Sequence, residues 1–221
     1  LTYRWRNDLS DADLLLTDES ATYTIQLANG GTRQQSWLYP SRDQCLSCHT
    51  LAAGGSLGAR THQLNNSITY QETGLAANQL LTWSHLGMFD SSLAQTDVDG
   101  FLRSAKLADA SASLELRARS WLDSNCSYCH RPETGRAVFD ARLTTALDTQ
   151  QLIYGYVADN YGLPNAHIIS PGEPANSVAL IKIASVGADA MPPLAKSLAE
   201  QPAVDLLREW VDKPNIKGLI F

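Results

Sequence analysis

Two five-residue segments of this 221-residue chain carry the same pattern of reactive side chains. Both Cys45–His49 and Cys126–His130 are C-x-x-C-H, and together they contain all four cysteines of the chain. The pattern is the attachment signature of c-type haem, in which two thiols add to the vinyl groups of the porphyrin and the histidine binds iron through a neutral imidazole nitrogen. We therefore predict two covalently attached haem c groups. The predicted thioether residues are Cys45, Cys48, Cys126 and Cys129, and the predicted axial histidines are His49 and His130.

Other uses of paired cysteines explain this pattern less well. Zinc sites built from two C-x-x-C pairs usually have about 15–20 residues between the pairs, whereas 77 residues separate them here. Neither zinc nor a redox-active C-x-x-C requires a histidine after each pair. With both motifs used for haem, no cysteine remains for a disulfide or for a thiolate ligand to iron.

The second axial ligand of each iron must come from the remaining histidines and methionines. Met191 begins the segment Met191–Leu194, which contains two prolines and starts 61 residues beyond His130. Class I cytochromes c present their distal methionine from such a loop, and the prolines fix φ and remove backbone donors, which keeps the loop stiff. We therefore predict Met191 as the distal ligand of haem 2, the haem of the second motif. Packing of a lone methionine in the core is the alternative.

Three residues compete for the distal position of haem 1, the haem of the first motif. Met88 lies 39 residues after His49 and follows Gly87, a candidate helix C-cap, so it is predicted to be the ligand, presented from a loop. His85 lies one helical turn before Met88 and could face the same ring. His62, in a glycine-flanked polar loop, is the third candidate. Met88 could also pack on the porphyrin without binding iron.

Composition limits the class of protein. Hydrophobic residues make up 44% and charged residues 18% of the chain, with a formal net charge of −6. This balance is that of a folded chain, and the lack of a Lys/Arg block argues against a nucleic-acid partner. No apolar run approaches the roughly 20 residues of a membrane helix. Because haem is attached outside the bacterial cytoplasm, we expect a periplasmic or extracellular protein, either mature or a module of a larger polypeptide, since the chain begins at Leu1.

The predicted elements place each motif at the end of an ordered segment. Ala21–Leu27 alternates in polarity, Asn29–Gly31 predicts a turn, and Gln35–Tyr39 predicts the return strand of a β-hairpin that leads into the first motif. Apolar periodicity and capping residues predict three helices. These are 75–86, 113–124 with Ser113 as its N-cap, and the segment after Pro202 that Pro214 ends.

The order of these elements predicts two haem-centred halves. Helix, C-x-x-C-H, loops, methionine and helix follow one another in a cytochrome c domain, and the C-terminal half has this order. The Ser/Ala/Asp-rich segment 91–112 is the predicted boundary, which gives an N-terminal haem c domain with a β-hairpin over 1–107 and a class I-like cytochrome c domain over 108–221. The predicted fold class is mainly α, with two cytochrome c-like haem domains in tandem.

Segments spread over nearly the whole chain carry a family resemblance. Besides the two motifs they are Tyr39–Ser41, Ala53–Gly54, Leu57–Gly58, Thr61, Gln63–Asn65, Asn78–Leu80, Arg117–Leu122, Asn125, Arg131–Pro132, Pro171–Pro174 and Met191–Pro193. In these segments the chain resembles the bacterial dihaem c-type cytochrome modules fused to, or encoded beside, quinoprotein-type sugar dehydrogenases and other carbohydrate-active modules. The resemblance implies single-electron transfer between a periplasmic or secreted oxidoreductase, such as a sugar dehydrogenase, and another redox protein. It supports Met191 as a ligand and leaves the haem 1 ligand open.

Three classes of function are compatible with two haems. The predicted one is outer-sphere electron transfer between redox partner proteins, without enzymatic chemistry, and the acidic chain favours partners with a basic docking patch. A dihaem peroxidase-like enzyme is the alternative, and it requires an open or weakly ligated haem 1 with His62 or His85 as the acid/base. A haem sensor or a glycan-binding module that uses Trp5, Trp37 and Trp83 is the third, although such tryptophans more often pack in the core or on haem.

Overall fold

The computed structural model describes residues 1–134 and 138–216. Helices make up 28% and strands 16%, so the fold is mixed rather than mainly α, with seven α-helices and three two-stranded antiparallel hairpins in the described ranges. The strands are β1 Thr2–Trp5, β2 Ala12–Leu15, β3 Glu19–Gln26, β4 Thr32–Tyr39, β5 Ser67–Thr69 and β6 Ala76–Asn78. The helices are α1 Arg42–Leu46, α2 Thr61–Leu64, α3 Gln79–His85, α4 Gln95–Gly100, α5 Leu114–Cys126, α6 Val178–Ala184 and α7 Gln201–Val211. Among the described residues, none of these helices combines the length and the apolar character needed to cross a bilayer.

Two hairpins form the N-terminal region, where the sequence predicts one. β3 pairs with β4 over all eight residues of each strand. Gly30, at φ +82°, supplies the left-handed conformation that the turn requires, and the Asn29 side chain accepts a hydrogen bond from the amide of Gly31 at 3.0 Å. The predicted hairpin is confirmed, and the β1–β2 hairpin is an addition to it. The Thr2 hydroxyl of β1 donates to the carbonyl oxygen of Pro40 at 2.6 Å, just before the first motif.

The helix predicted over 75–86 is shorter in the structure. Its first part, Ala76–Asn78, is strand β6, which pairs with β5. The Asn78 side chain accepts a hydrogen bond from the amide of Leu80 at 2.9 Å, so α3 begins at this cap. Gly87, at φ +71°, ends α3 in the left-handed conformation predicted for it.

The main apolar core lies in the C-terminal half. α5 begins at the predicted cap, where Ser113 Oγ accepts a hydrogen bond from the amide of Leu116 at 3.2 Å. α7 packs against both α5 and α6, and the apolar face predicted for α7 is buried. The core residues are Ala118, Leu122, Leu147, Leu152, Ile153, Ile168, Ile169, Leu180, Ile183, Val204, Leu207, Trp210 and Val211.

The N-terminal half has almost no apolar core of its own. In residues 1–107, all of which are described, Ala53, Leu80 and Val98 are the buried apolar side chains. Large apolar side chains there are exposed instead, including Trp5 at 64% and Trp37 at 49%. Three buried side chains cannot offset the conformational entropy of a segment this long. The order of this half therefore depends on contacts with the C-terminal half or on an additional apolar group.

The predicted boundary segment 91–112 is not a featureless linker. It contains α4, and the Asn65 side-chain amide donates to the carbonyl oxygen of Phe101 at 3.0 Å. Ser120 Oγ of α5 accepts a hydrogen bond from the amide of Ala105 at 3.0 Å. Contacts from both halves thus fix the segment, and the division of the chain at residue 107 stays a prediction.

A buried carboxylate joins the two halves. Asp123 of α5 has no exposed surface, and Nε2 of His62, on α2, lies 2.8 Å from its Oδ2. The guanidinium of Arg60 lies 3.4 Å from Oδ1, and the amide of Leu143 donates to Oδ1 at 3.0 Å. Burial by itself raises the pKa of Asp123, but these hydrogen bonds and the nearby charges outweigh burial and hold the pKa below its ordinary value. We call Asp123, His62, Arg60 and the Leu143 amide the joint.

Asp123→Ala tests the joint. The substitution leaves Arg60 largely buried without its carboxylate and leaves the Leu143 amide unpaired, so we expect the free energy of unfolding to fall by roughly 3–5 kcal/mol. Urea unfolding followed by circular dichroism measures the loss. Glu209→Ala, which removes an exposed carboxylate of α7, is the control and should change stability by less than about 0.5 kcal/mol. Equal effects of the two substitutions would contradict a role for Asp123 in joining the halves.

Candidate haem site

Both C-x-x-C-H segments fold into the same backbone turn. In each, the amides of the second cysteine and of the histidine donate to the carbonyl oxygen of the first cysteine. The distances are 3.2 and 3.0 Å in the first turn (Cys45–His49) and 3.1 and 2.8 Å in the second turn (Cys126–His130). The first cysteine of each turn is also a residue of a helix, α1 or α5. Two distant segments therefore present two thiols and an imidazole on one repeated backbone geometry.

A short, capped helix places the first turn. Ser41 Oγ accepts a hydrogen bond from the amide of Gln44 at 3.3 Å, and the Gln44 side-chain oxygen accepts one from the amide of Ser41 at 2.9 Å. This capping box satisfies two donors at the start of α1, a helix of five residues that is too short to form by itself. The second turn follows α5, whose 13 residues are held by core packing instead.

The ring of His49 is oriented by a backbone oxygen. Its Nδ1 lies 2.7 Å from the carbonyl oxygen of Gly55. Because a carbonyl oxygen only accepts hydrogen bonds, Nδ1 carries the proton and Nε2 of the neutral ring is a free electron-pair donor. Metal-binding histidines commonly donate their other N–H to a carbonyl in this way. The exposed ring of His49 thus has the tautomer that an iron ligand requires.

His130, in the second turn, has a different environment. Its ring stacks on Phe139, with 4.2 Å between the ring centroids. Burial lowers the pKa of His130, so the imidazole is neutral at physiological pH. Its Nδ1 is buried and has no hydrogen-bond partner among the described residues. A neutral ring suits an iron ligand, and His130 differs from His49 in that no described backbone oxygen orients its Nδ1.

The environment of Cys126, in the second turn, favours an uncharged sulfur. Burial, with the nearby Cys129 thiol as a smaller cause, raises the pKa of Cys126 to about 12. Without a metal the Cys126 thiol is therefore protonated and a poor nucleophile, whereas a thioether carries no charge. In the described parts of the chain, no three His, Cys, Asp or Glu side chains come together as a metal-binding group. The cysteines of the two turns therefore do not form the cluster that a four-cysteine zinc site needs.

Met191 lies in a loop whose backbone is fixed by hydrogen bonds. Its amide donates to the carbonyl oxygen of Lys182 at 3.1 Å. Its own carbonyl oxygen accepts a hydrogen bond from Lys196 Nζ at 3.0 Å, and the same ammonium group donates to Ile183 at 2.6 Å. Burial lowers the pKa of Lys196. Met191 is half-buried, and this anchoring restricts where its thioether can lie. The sequence offers one signal of this anchoring, which is that a lysine, Lys196, lies five residues after Met191.

The three candidates for the haem 1 ligand lie in two different places. Met88 is 59% exposed and His85 is also exposed, both at the C-terminal end of α3. His62 is buried in the joint, where Nε2 is engaged by Asp123, which leaves only Nδ1 for another partner. A cleft of about 570 Å³ is lined by His62, by Arg60 and by the loop that follows the first turn. The structure therefore does not bring the three side chains together, and Met88 stays a prediction.

The two turns lie against each other, a contact that the motif spacing does not predict. Cys129 Sγ lies 4.0 Å from the carbonyl oxygen of Ser47. Arg131, directly after the second turn, donates to the carbonyl oxygen of Ala52, three residues after the first. A cleft of about 300 Å³ is lined by residues of both turns. Groups attached to the four cysteines would therefore be neighbours.

Known proteins provide no family for this chain. No family model, no curated protein and no solved structure matches it. The functional evidence is therefore the chemistry of the two turns and of the residues around them.

Asp140 fixes the chain behind His130. Its carboxylate accepts hydrogen bonds from the Arg142 guanidinium at 2.6–2.9 Å and from the Thr145 hydroxyl at 2.7 Å. The amide of Ala141 donates to the carbonyl oxygen of His130 at 2.9 Å. Burial raises the pKa of Asp140, but the hydrogen bonds of Arg142 and Thr145 outweigh it and hold the pKa below its ordinary value.

Asp140→Asn should lower the free energy of unfolding at neutral pH by about 2 kcal/mol, because hydrogen bonds to a charged group are lost. Since the native pKa is lowered, this stabilisation is complete above the unfolded-state pKa of about 3.9 and is lost as the pH falls through the native value. Urea unfolding of both proteins between neutral pH and acid measures the difference. A difference that does not shrink in acid would show that Asp140 is not held as a stabilised carboxylate.

Proposed function

We propose that this protein is a periplasmic or extracellular dihaem cytochrome c that carries single electrons between an oxidoreductase and another redox protein. The observation that carries the proposal is the pair of C-x-x-C-H turns with one backbone geometry. The His49 hydrogen bond to Gly55, which leaves Nε2 for iron, supports it. The sparse core of residues 1–107 also supports it, because a porphyrin supplies the apolar surface that this half lacks.

The residues of the chain have separate tasks in this proposal. Cys45, Cys48, Cys126 and Cys129 hold the two haem c groups through thioether bonds, and His49 and His130 bind iron. When bound, haem supplies the reversible one-electron chemistry of iron. Gly55 orients the His49 ring through its carbonyl oxygen, and Phe139 shields the His130 ring from water. The chain moves no proton at these atoms.

Met191 is the proposed distal ligand of haem 2. The loop hydrogen bonds from Lys196 and to Lys182 support this role because they restrain the thioether. Thioether ligation favours ferrous iron and so raises the reduction potential. Met88 is the proposed distal ligand of haem 1, with His85 and His62 as the alternatives. Its exposure means that it must turn inward against an attached ring to serve.

The finer description of the fold is also a proposal. In the C-terminal half, α5, the second turn, the Met191 loop and α7 follow the order of a class I cytochrome c domain. We propose two such haem domains in tandem, over 1–107 and 108–221, with the β-hairpins as an addition to the first. The family resemblance points to a sugar dehydrogenase or another carbohydrate-active oxidoreductase as a redox partner. The net charge of −6 favours partners with a basic docking surface.

A peroxidase-like enzyme is the second candidate, and the positions of the haem 1 ligands favour it. If Met88 stays exposed and His62 stays on Asp123, haem 1 keeps an open position. High-spin ferric signals in electron paramagnetic resonance and peroxide turnover would support this enzyme. Fully low-spin spectra without turnover would support electron transfer.

A sensor or glycan-binding module is the third candidate. Trp5 and Trp37 are exposed, as such a module requires, while Trp83 is half-buried beside Phe89. Retention of the protein on immobilised glycans, lost on Trp37→Ala, would favour this function.

Haem content tests the proposed attachment. Expressed in a bacterial periplasm with the cytochrome c maturation system, the protein should carry two haem c groups per chain. A Cys45→Ala/Cys48→Ala variant and a Cys126→Ala/Cys129→Ala variant should each keep one, because the turns bind independently. Mass spectrometry of the denatured protein measures the covalent haem. Ser47→Ala, inside the first turn but without a thiol, is the control and should keep both groups.

Met191→Ala tests the distal ligand of haem 2. Loss of the thioether should remove the weak long-wavelength ferric band of methionine ligation from haem 2 and lower its reduction potential. Optical spectroscopy of the Cys45→Ala/Cys48→Ala background, which holds only haem 2, measures the band. In that background Met88→Ala is the control and should leave the band in place. A band unchanged by Met191→Ala would assign Met191 to packing.

A further inference from the structure

Two arginines connect the first turn region to the second. Arg60 lies at the start of α2, eleven residues after the first turn, and Arg131 directly follows the second turn. Neither arginine is assigned a functional role by the sequence, although Arg131 lies in one of the segments that carry the family resemblance. Both reach across the interface between the halves, and each contacts backbone or side chains of the opposite turn region.

Arg60 makes several contacts with one helix end. Its guanidinium donates to Ser127 Oγ at 2.9 Å and lies 3.4 Å from Asp123. It also lies over the ring of Tyr128, 4.7 Å from the centroid, in a cation–π contact. Ser127 and Tyr128 are the two residues between the cysteines of the second turn. Arg60 therefore holds the middle of that turn from the N-terminal half.

Arg131 bridges in the opposite direction. The residue is buried, with 9% of its surface exposed. One arm of the guanidinium, Nε, donates to the carbonyl oxygen of Ser127 at 2.7 Å, and another donates to the carbonyl oxygen of Ala52. The planar fork presents donors on separate arms at fixed angles, so one side chain holds both loops in a geometry that the single ammonium group of a lysine does not reproduce.

We propose that Arg60 and Arg131 are positioning residues that hold the two C-x-x-C-H turns in contact, so that the two cofactor sites exchange electrons directly and titrate as a coupled pair. This inference depends on the proposed dihaem function. The contact that it uses is the one between Cys129 Sγ and the Ser47 carbonyl oxygen, at 4.0 Å.

The chemistry of this contact is compatible with an electron path. Ser47 is bonded to Cys48, so its carbonyl group is joined to one thioether by covalent bonds alone. Cys129 would supply the other thioether, and its sulfur lies 4.0 Å from that carbonyl oxygen, so one short gap would separate the two covalent paths. In the exchange, a ferrous iron at one site is oxidised and a ferric iron at the other is reduced, so one electron moves and no further reactant is needed. Electron tunnelling through protein slows steeply with distance, so a small opening between the turns matters.

The experiment measures electron exchange within the fully matured protein. After rapid reduction by a light-activated donor, wild type should show redistribution between the haems at a rate that does not depend on protein concentration. In Arg60→Lys/Arg131→Lys, we expect this rate to fall severalfold, because a wider gap between the two turns slows electron tunnelling. The equilibrium redox titration should lose its coupling as well. Lysine keeps the charge, so electrostatic effects on the potentials are largely retained.

Arg117→Lys is the matched control. Arg117 also donates through Nε to a backbone carbonyl, that of Leu107 at 2.7 Å, but it contacts neither turn. Electron exchange between the haems of the Arg117→Lys variant should be as fast as in wild type. Each variant must keep two haems and unchanged optical signatures of the iron ligands, because positioning residues leave the ligands intact.

Several outcomes would overturn the inference. If exchange in wild type depends on concentration, or if the resonance spectra show no magnetic interaction between two bound haems, the sites are not coupled. If the lysine variants exchange electrons as fast as wild type, the arginines do not hold the contact. Should the double variant fail to mature, Arg60→Lys and Arg131→Lys are measured singly, and a wild-type exchange rate in both contradicts the positioning role. A protein that binds no haem defeats the proposed function itself, and this is distinguishable from two bound but uncoupled haems.

Discussion

A carboxylate with no exposed surface is the constraint that fixes the two halves relative to each other. A buried charge is tolerated only when it is fully paired, and Asp123 obtains its partners from separate parts of the chain: His62 and Arg60 beside the first turn, and the Leu143 amide after the second. None of these segments can move away without leaving a charge or a donor unsatisfied. Because α5 carries both Asp123 and the second turn, pairing the carboxylate also sets the distance between the turns.

This constraint matters more for the N-terminal half than for the C-terminal half. The C-terminal half buries a continuous cluster around α5, α6 and α7, which can order the second turn by packing alone. The N-terminal half buries Ala53, Leu80 and Val98 and relies on hairpins, caps and the joint. The position of the first turn therefore depends on contacts with the C-terminal half. An attached porphyrin would add the apolar contacts that the hairpins, with their exposed tryptophans, do not provide.

Local signals predicted the parts of the fold that depend on local physics. The β3–β4 hairpin follows from Asn29–Gly31, and α5 follows from its cap at Ser113 and its apolar spacing. The prediction of a helix over 75–86 starts that helix too early, and the cause is also local. Apolar periodicity extends N-terminal to Asn78, but the Asn78 side chain caps α3 and so fixes its first residue. The joint left no such signal, since a polar contact between residues 62 and 123 creates no periodicity in either segment. In the candidate site, spacing predicts the six attachment residues. Arg60, which contacts Ser127 and Tyr128, and Lys196, which donates to the Met191 carbonyl oxygen, are positioned only by the tertiary fold.

His62 shows how the joint and the first site are linked. Asp123 accepts a hydrogen bond from the Nε2–H group of His62, so the electron pair of the corresponding neutral tautomer lies on Nδ1. A carboxylate–imidazole pair of this kind raises the basicity of the opposite nitrogen, which is the arrangement found behind many metal-bound histidines. If His62 binds iron, it therefore does so through Nδ1, with Asp123 still in place. Ligation through Nε2 would break the joint and separate the turns. Ligation by Met88 or His85, both exposed at the end of α3, leaves the joint intact. Of the candidate ligand atoms for haem 1, only Nε2 of His62 is therefore incompatible with the interface between the halves.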